Sequence, residues 1–283
     1  MRKKLISRRK MRIILIFTAV IITYVIATCN SISTKTYRLT TPLLKEQSNI
    51  KIVLIADLHG TIHGKDQSVL VNKIRNANPD LIILAGDIYD GYSQADGTRM
   101  LLAEIHGIAP IYGAMGNHEY WGGNIRAVRE EFISFGVTIL EDSYTEIEVK
   151  NNRIILAGAN DPVKKEHGYP NYDTLAVLEK AFRELDTVPL YKILIAHRFS
   201  LIEYYKKLSF NLVLSGHSHG GQVRIPYIIN GLYTPSQGFF PKYAGGLYRH
   251  GNLTQIVSRG LSIIPWRPRI FNPPELVIVV INE

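Results

Sequence analysis

Cysteine is almost absent: the 283 residues hold one, Cys29. No intrachain disulfide can form, and no cysteine-based zinc site exists. Charge is missing from residues 13–34, and acid is missing from residues 204–274, which carry eight Lys or Arg and no Asp or Glu. No Walker A sequence and no G-x-G-x-x-G follows any apolar run, so nucleotide-fold readings lack support. Internal repeats are absent too. A hydrophobic share of 46% against 20% charged residues excludes a disordered chain. The length suits one large domain or two small ones.

The net charge of +9 is unevenly placed. Residues 1–12 carry seven Lys or Arg and no acid, while residues 13–203 are close to balanced. The basic character therefore belongs to a tail and a C-terminal stretch, and does not make the whole chain a nucleic-acid binder. Ile13–Cys29 is almost entirely apolar; at 1.5 Å per residue it spans roughly 25 Å, near the lower limit for a membrane helix. Seven positive charges before it hold the N-terminus in the cytoplasm and place the rest outside. We read 1–12 as a basic cytoplasmic tail, 13–34 as a membrane anchor or signal segment, 35–48 as a linker and 49–283 as the main folded domain. The expected location is the cell membrane, single-pass, with the domain extracytoplasmic. Secretion after signal cleavage is the alternative. Thr28-Cys29 is a poor cleavage or lipoprotein site, and Ser7-Arg8-Arg9 is only a partial twin-arginine signal.

From Ile50 onward, strands and helices alternate. Strands are expected at 51–56, 81–85 and 111–115, with helical stretches at 66–77, 94–106 and 122–135. Further strands fall at 137–140, 144–149 and 153–158, with Asn151-Asn152 as a hairpin turn. A helix at 173–184 precedes strand 191–196, and strands are expected near 254–258 and 276–281. Such alternation implies βαβ units and a largely parallel α/β sheet.

Five apolar runs end in metal-binding or acid/base residues. Ile52–Ala56 leads to Asp57 and His59, Leu81–Ala85 to Asp87, and Ile111–Met115 to Asn117 and His118. Ile193–Ala196 leads to His197, and Leu212–Leu214 to His217 and His219. Ligands bind outside the carboxyl ends of such strands, so the pattern describes an active site at one sheet edge. Taken singly, an Asp after a strand is often a helix cap and a His is often structural. The set is what argues. His63, His106, His167 and His250 lack the placement, and Asp90 reads as a supporting group or a turn residue. Seven oxygen or imidazole donors suit manganese, zinc or iron. They are too many for one catalytic zinc and suit two ions that together clamp a phosphoryl group. His118, beside Asn117, is free to act as an acid.

Gly216-His217-Ser218-His219-Gly220 also fits the nucleophile elbow of α/β-hydrolases. That mechanism needs an acid and then a His downstream; no acid occurs between Ser218 and His250, and Glu275 follows the last His. The order excludes it.

The sequence of blocks Asp57-Leu58-His59, Gly86-Asp87-Ile88-Tyr89-Asp90, Gly116-Asn117-His118-Glu119, His197 and Gly216-His217-Ser218-His219 resembles the calcineurin-like metallophosphoesterase superfamily. The segment from Gly216 to Pro226 is further similar to a membrane-associated or secreted bacterial branch, which includes phosphodiesterases and lipid-sugar diphosphatases. The resemblance implies a four-layer α/β/β/α sandwich of two mixed sheets. It implies one divalent metal ion held by Asp57, His59, Asp87 and His219, and a second by Asp87, Asn117, His197 and His217, with Asp87 bridging. A metal-bridging hydroxide would then attack phosphorus in line while His118 protonates the leaving oxygen. Arg198 departs from the family, whose members often carry Asn or Glu before Pro there.

The expected function is thus a dinuclear-metal phosphoester hydrolase of phosphodiesterase type. A lipid-sugar pyrophosphate hydrolase is the alternative within the class, and a non-catalytic phosphate- or membrane-binding module the alternative outside it. The acid-free stretch interleaves its basic residues with Tyr227, Tyr233, Phe239, Phe240, Tyr243, Tyr248 and Trp266. This suits a membrane surface or an anionic amphiphile. With the anchor, it favours a membrane-proximal, lipid-linked phosphoester over nucleic acid. The opposing expectation is that the aromatics fill a core and the arginines are solvated.

Overall fold

A computed structural model describes residues 8–91, 95–168 and 170–283. Residues 1–7 of the basic tail, and Gln94 at the start of one expected helix, lie outside the described residues.

Helix α1 (Arg8–Ala27) carries the apolar segment. Its side chains are exposed along nearly the whole length, and it is long and apolar enough to cross a membrane. It begins inside the basic tail and stops at Ala27, before the expected limit of 34. Strand β1 (Ser33–Thr40) follows after five residues. The expected linker at 35–48 is therefore corrected: its first part is sheet. The β1 sequence alternates Thr, Lys and Arg with Tyr37 and Leu39, the pattern of an edge strand with one face inward. No continuous apolar run marks it.

Next come β2 (Asn49–Ile55), α2 (Ser68–Ala77), β3 (Leu81–Ala85), α3 (Asp96–Ile105), β4 (Ile111–Ala114), α4 (Asn117–Trp121), α5 (Ile125–Ser134) and β5 (Val137–Ile139). The strands β1 to β5, with the C-terminal strand numbered below as the last, make the first sheet. β2 to β5 run parallel, and every residue of β3 is buried, as its unbroken Leu-Ile-Ile-Leu-Ala requires. α2 buries Leu70, Val71, Ile74 and Ala77, one helical stripe. It ends at Asn78 in the left-handed region, ahead of Pro79. The expected helix at 122–135 is α5, which starts three residues later, where Asn124 caps it by accepting from the Ala127 N–H at 3.1 Å; the short α4 before it is not among the expected elements.

The second sheet holds β6 (Ser143–Val149), β7 (Asn152–Ala159), β8 (Tyr191–Arg198), β9 (Leu212–Gly216), β12 (Gly246–His250) and β13 (Leu253–Val257). Helices α6 (Thr174–Phe182) and α7 (Ile202–Tyr205) belong to its outer layer, and β10 (Tyr233–Thr234) with β11 (Gly238–Phe239) form a separate small hairpin. The turn between β6 and β7 is Lys150-Asn151, both left-handed, one residue earlier than expected; Asn152 already pairs with Val149. β14 (Glu275–Asn282) returns to the first sheet, antiparallel to β2 and parallel to β1.

Three hydrophobic clusters stack accordingly. One lies between the first sheet and α2, α3 and α5. One lies between the two sheets, joining Ile52, Leu54 and Ile83 to Leu156, Ile193 and Leu214. The third packs the second sheet on α6 and α7. Three cores separate four layers, which is the expected α/β/β/α sandwich of two mixed sheets.

Candidate metal centre

Asp57 and His59 follow β2, Asp87 follows β3, and Asn117 and His118 open α4 after β4. These three strand ends belong to the first sheet. His197 lies at the end of β8, and His217 and His219 follow β9, both in the second sheet. The site is therefore built where two sheets meet along one edge, a correction to the single-edge reading. All seven candidate ligands are brought together and nearly fully buried.

Three groups of metal-capable donors form among the described residues, and Asp87 belongs to two of them; the third is His59, Asp90 and His118. Asp57, His59, Asp87 and His219 each offer an atom within 4.8 Å of the others, as do Asp87, His197 and His217. His197 Nε2 lies 3.1 Å from Asp87 Oδ2, and His59 Nε2 lies 3.6 Å from the same oxygen. Asn117 Oδ1 is buried without a hydrogen-bond partner, as are Asp87 Oδ2, His217 Nε2 and both ring nitrogens of His59. Buried polar atoms are nearly always paired. Orphaned donors of these types, converging on one place, fit divalent cations.

Supporting groups aim the rings. The Ala85 carbonyl lies 2.8 Å from His197 Nδ1, which turns Nε2 toward Asp87. Ser262 Oγ lies 3.0 Å from His219 Nδ1. The Asp57 carboxylate accepts from the His217 N–H at 2.8 Å, tying the first sheet's loop to the second's. Glu119, fully buried, accepts from the N–H groups of Asp87, Ile88, Tyr89 and Gly116. It fixes the loop that carries Asp87 and Asp90.

Charge compensation is strong. Burial would raise the Asp87 carboxyl, but His197, with His59 and His118, holds it well below the usual range. Burial would lower His197, but Asp87 and Asp57 outweigh it and push it up to about 10. Burial raises the Asp57 carboxyl and lowers His217 and His219. His118 is placed differently: its Nδ1 lies 2.6 Å from Asp90 Oδ1, and its ring faces a cleft of about 690 Å³. The His118 hydrogen bond, then the nearby His59 ring with Nδ1 at 3.5 Å, holds the Asp90 carboxyl well below the usual range.

Five of the candidate ligands, Asp57, His59, Asp87, His217 and His219, have φ between 46° and 68°. Non-glycine residues seldom adopt this region, and such strain gathers at functional sites. Gly116 is needed for a different reason. A Cβ there would meet Asp87 Oδ1 at 2.2 Å and the Asp87 backbone nitrogen at 2.7 Å. Gly116→Ala is expected to cost at least about 2 kcal/mol of stability through this overlap, measured by denaturant unfolding, together with loss of bound metal.

Sequence reasoning missed several supporting residues. Glu119 carried a signal, since it sits three residues after Gly116 in capping-box spacing. Ser262 and Asp161 carried none, because the chain brings them in from far away. Asp161 receives Arg198 Nε at 2.7 and 3.0 Å, and Arg198 lines the cleft. His63, His106, His167 and His250 belong to none of the metal-capable groups among the described residues. Of the C-terminal stretch, Arg259, Arg269 and Tyr243 are buried, whereas Tyr227, Phe239, Phe240 and Trp266 are exposed. Both expectations for that stretch are met in part.

A family model described as calcineurin-like phosphoesterase matches residues 50–221. The chain is similar to an uncharacterized metallophosphoesterase of Aquifex aeolicus, 31% identical over 252 residues, covering 87% of this chain and 90% of the relative. It is similar to the uncharacterized metallophosphoesterase YkuE of Bacillus subtilis, 26% identical, covering 82% of this chain and 79% of the relative. It is also similar to a transmembrane protein with metallophosphoesterase domain of Danio rerio, 28% identical over 83% of this chain, where it spans only 54% of the relative's length. Among solved structures, the Haemophilus influenzae NAD nucleotidase aligns with a TM-score of 0.54 at 19% identity, covering 77% of this chain and 46% of that one. The last likeness is one of fold.

Proposed function

This chain belongs to the calcineurin-like phosphoesterase family and is a metal-dependent phosphoester hydrolase, and we propose, on that footing, that it is a two-metal phosphodiesterase working at a membrane surface. The observation that carries the two-metal reading is the sharing of Asp87 by two separate donor groups. In this reading Asp57, His59, Asp87 and His219 hold one divalent cation, and Asp87, Asn117, His197 and His217 hold the other. The donor set is oxygen and imidazole nitrogen, which suits manganese, zinc or iron. When bound, such a pair supplies water of lowered pKa and neutralises charge on the phosphoryl oxygens.

The chain's own residues supply the rest. His118 stands at the cleft wall beside Asn117, with Nδ1 held by Asp90 and Nε2 left to meet a leaving oxygen. Its role is to deliver a proton there, with Asp90 fixing the tautomer and the ring plane. Arg198, steadied by Asp161, borders the same cleft and offers positive charge to a phosphodiester. Helix α1 anchors the domain, and its basic N-terminal flank favours a cytoplasmic start with the domain outside.

His118→Ala is expected to lower kcat by roughly 10²–10⁴-fold on an alkyl phosphodiester. The loss should be distinctly smaller on a nitrophenyl ester, whose leaving group needs no proton. Two bound metals should remain by elemental analysis. Equal losses on both esters, or loss of metal, would remove His118 from the acid role. Metal content measured beside a panel of mono-, di- and pyrophosphate esters tests the wider reading. Hydrolysis independent of added metal and indifferent to chelator would end it.

A further inference from the structure

Six large apolar side chains outside α1 stand exposed on three neighbouring turns: Ile225, Tyr227, Ile228, Phe239, Phe240 and Trp266. Tyr227 is 108% exposed, and Ile228 and Trp266 are each 79% exposed. The first turn closes on itself, Ile225 N–H donating to Ile229 O at 3.0 Å and Ile229 N–H to Ile225 O at 2.8 Å. Phe239 and Phe240 form the end of the β10–β11 hairpin. Trp266 tops the turn in which Arg267 N–H donates to Ile264 O at 3.0 Å.

These turns are bonded to one another. Arg224 N–H donates to Ile270 O, and Ile270 N–H to Gln222 O. Leu232 N–H donates to Val223 O, and Phe240 N–H to Leu232 O. The same framework grips the end of α1, because Phe271 N–H donates to Ala27 O at 2.7 Å. Thr28 and Asn30, just past the helix, share a crevice with Ile264, Pro265 and Arg267. Arg267 also lines the catalytic cleft, as does Tyr233. Helix exit, apolar turns and cleft mouth thus share one side of the molecule. A helix that leaves a bilayer at Ala27 brings this side to the head groups.

The chemistry of the patch suits that place. Tyr and Trp favour the membrane–water interface, and the surrounding stretch from 204 to 274 has basic residues and no acid, which favours anionic lipid. Projecting turn tips are suited to entering a soft interface. We propose that the turns 225–228, 239–240 and 264–267 rest in the head-group layer of an anionic phospholipid bilayer, and that the cleft thereby takes its phosphodiester from a membrane lipid. The surface half rests on α1 being retained as the anchor, and the substrate half on the phosphoesterase reading.

The chain has two tryptophans, Trp121 and Trp266, so Trp121→Phe leaves Trp266 as the sole reporter. The full chain carrying this change is reconstituted in vesicles of equal phosphatidylcholine and phosphatidylglycerol. Bromine at the head-group end of the acyl chains should quench Trp266 strongly, and aqueous iodide weakly. Quenching by iodide alone would overturn the surface half. Quenching by neither would also overturn it, because a second copy or another protein would then cover the patch.

A second arm uses the full chain carrying Tyr227→Ser, Ile228→Ser and Trp266→Ser. Its turnover of soluble bis-nitrophenyl phosphate should be unchanged. Its turnover of a diacylglycerol nitrophenyl phosphodiester in the same vesicles should fall by at least about tenfold, as the local concentration at the cleft is lost. Equal loss on both substrates would overturn the substrate half. Failure of the unaltered chain to cleave the soluble ester would instead strike the phosphoesterase reading, while the quenching result still decides the surface.

Discussion

Asp87→Asn is expected to lower kcat/KM by at least about 10³-fold, close to 4 kcal/mol of lost transition-state stabilisation. The side chain keeps its shape but loses the charge that two donor groups share. It also loses an acceptor: Asp87 Oδ1 receives the His118 N–H at 2.9 Å, while Oδ2 faces His197 at 3.1 Å and His59 at 3.6 Å. An amide nitrogen in place of either oxygen faces a donor or a cation. Metal content should therefore fall for both sites together. Elemental analysis and hydrolysis rates on one preparation check this. Two metals retained with near-normal turnover would remove Asp87 from its shared position.

Metal removal is expected to have the second large effect, on stability. Without cations, Asp57 and Asp87 lie buried among the imidazoles of His59, His197, His217 and His219, with several atoms unpaired. A ligand that binds the folded chain alone stabilises it, by about 4 kcal/mol at a thousandfold excess over Kd. For a chain of this size that amounts to a melting shift of roughly 8 °C or more. Calorimetry with and without chelator measures it, and added manganese or zinc should restore the original transition. A transition unmoved by chelator would show that the cluster holds no structural metal.

Most of the site was legible because its residues stand directly after strands, and strands buried on both faces announce themselves as short apolar runs. Leu81–Ala85 before Asp87 is such a run. β1 was not legible, since an edge strand shows one inward face and reads as polar. Asp90 could be seen but not placed: only the fold brings it against His118 across 28 residues of chain. Ser262 and Asp161 reach the site through tertiary closure, for which no local pattern exists. The basic stretch from 204 to 274 hid a division that burial alone reveals. Arg259 and Arg269 brace the interior, while Arg267 is exposed.

The left-handed backbone at five candidate ligands has a consequence for anyone redesigning this chain. Glycine relieves positive φ at little cost, so a search for heat resistance that scores backbone comfort would replace Asp57, His59, Asp87, His217 and His219 early. Each replacement would look like an improvement to the backbone and would erase a donor. Thermostabilisation should therefore be sought elsewhere, on outer helices such as α2 and α5, with those five positions frozen from the start.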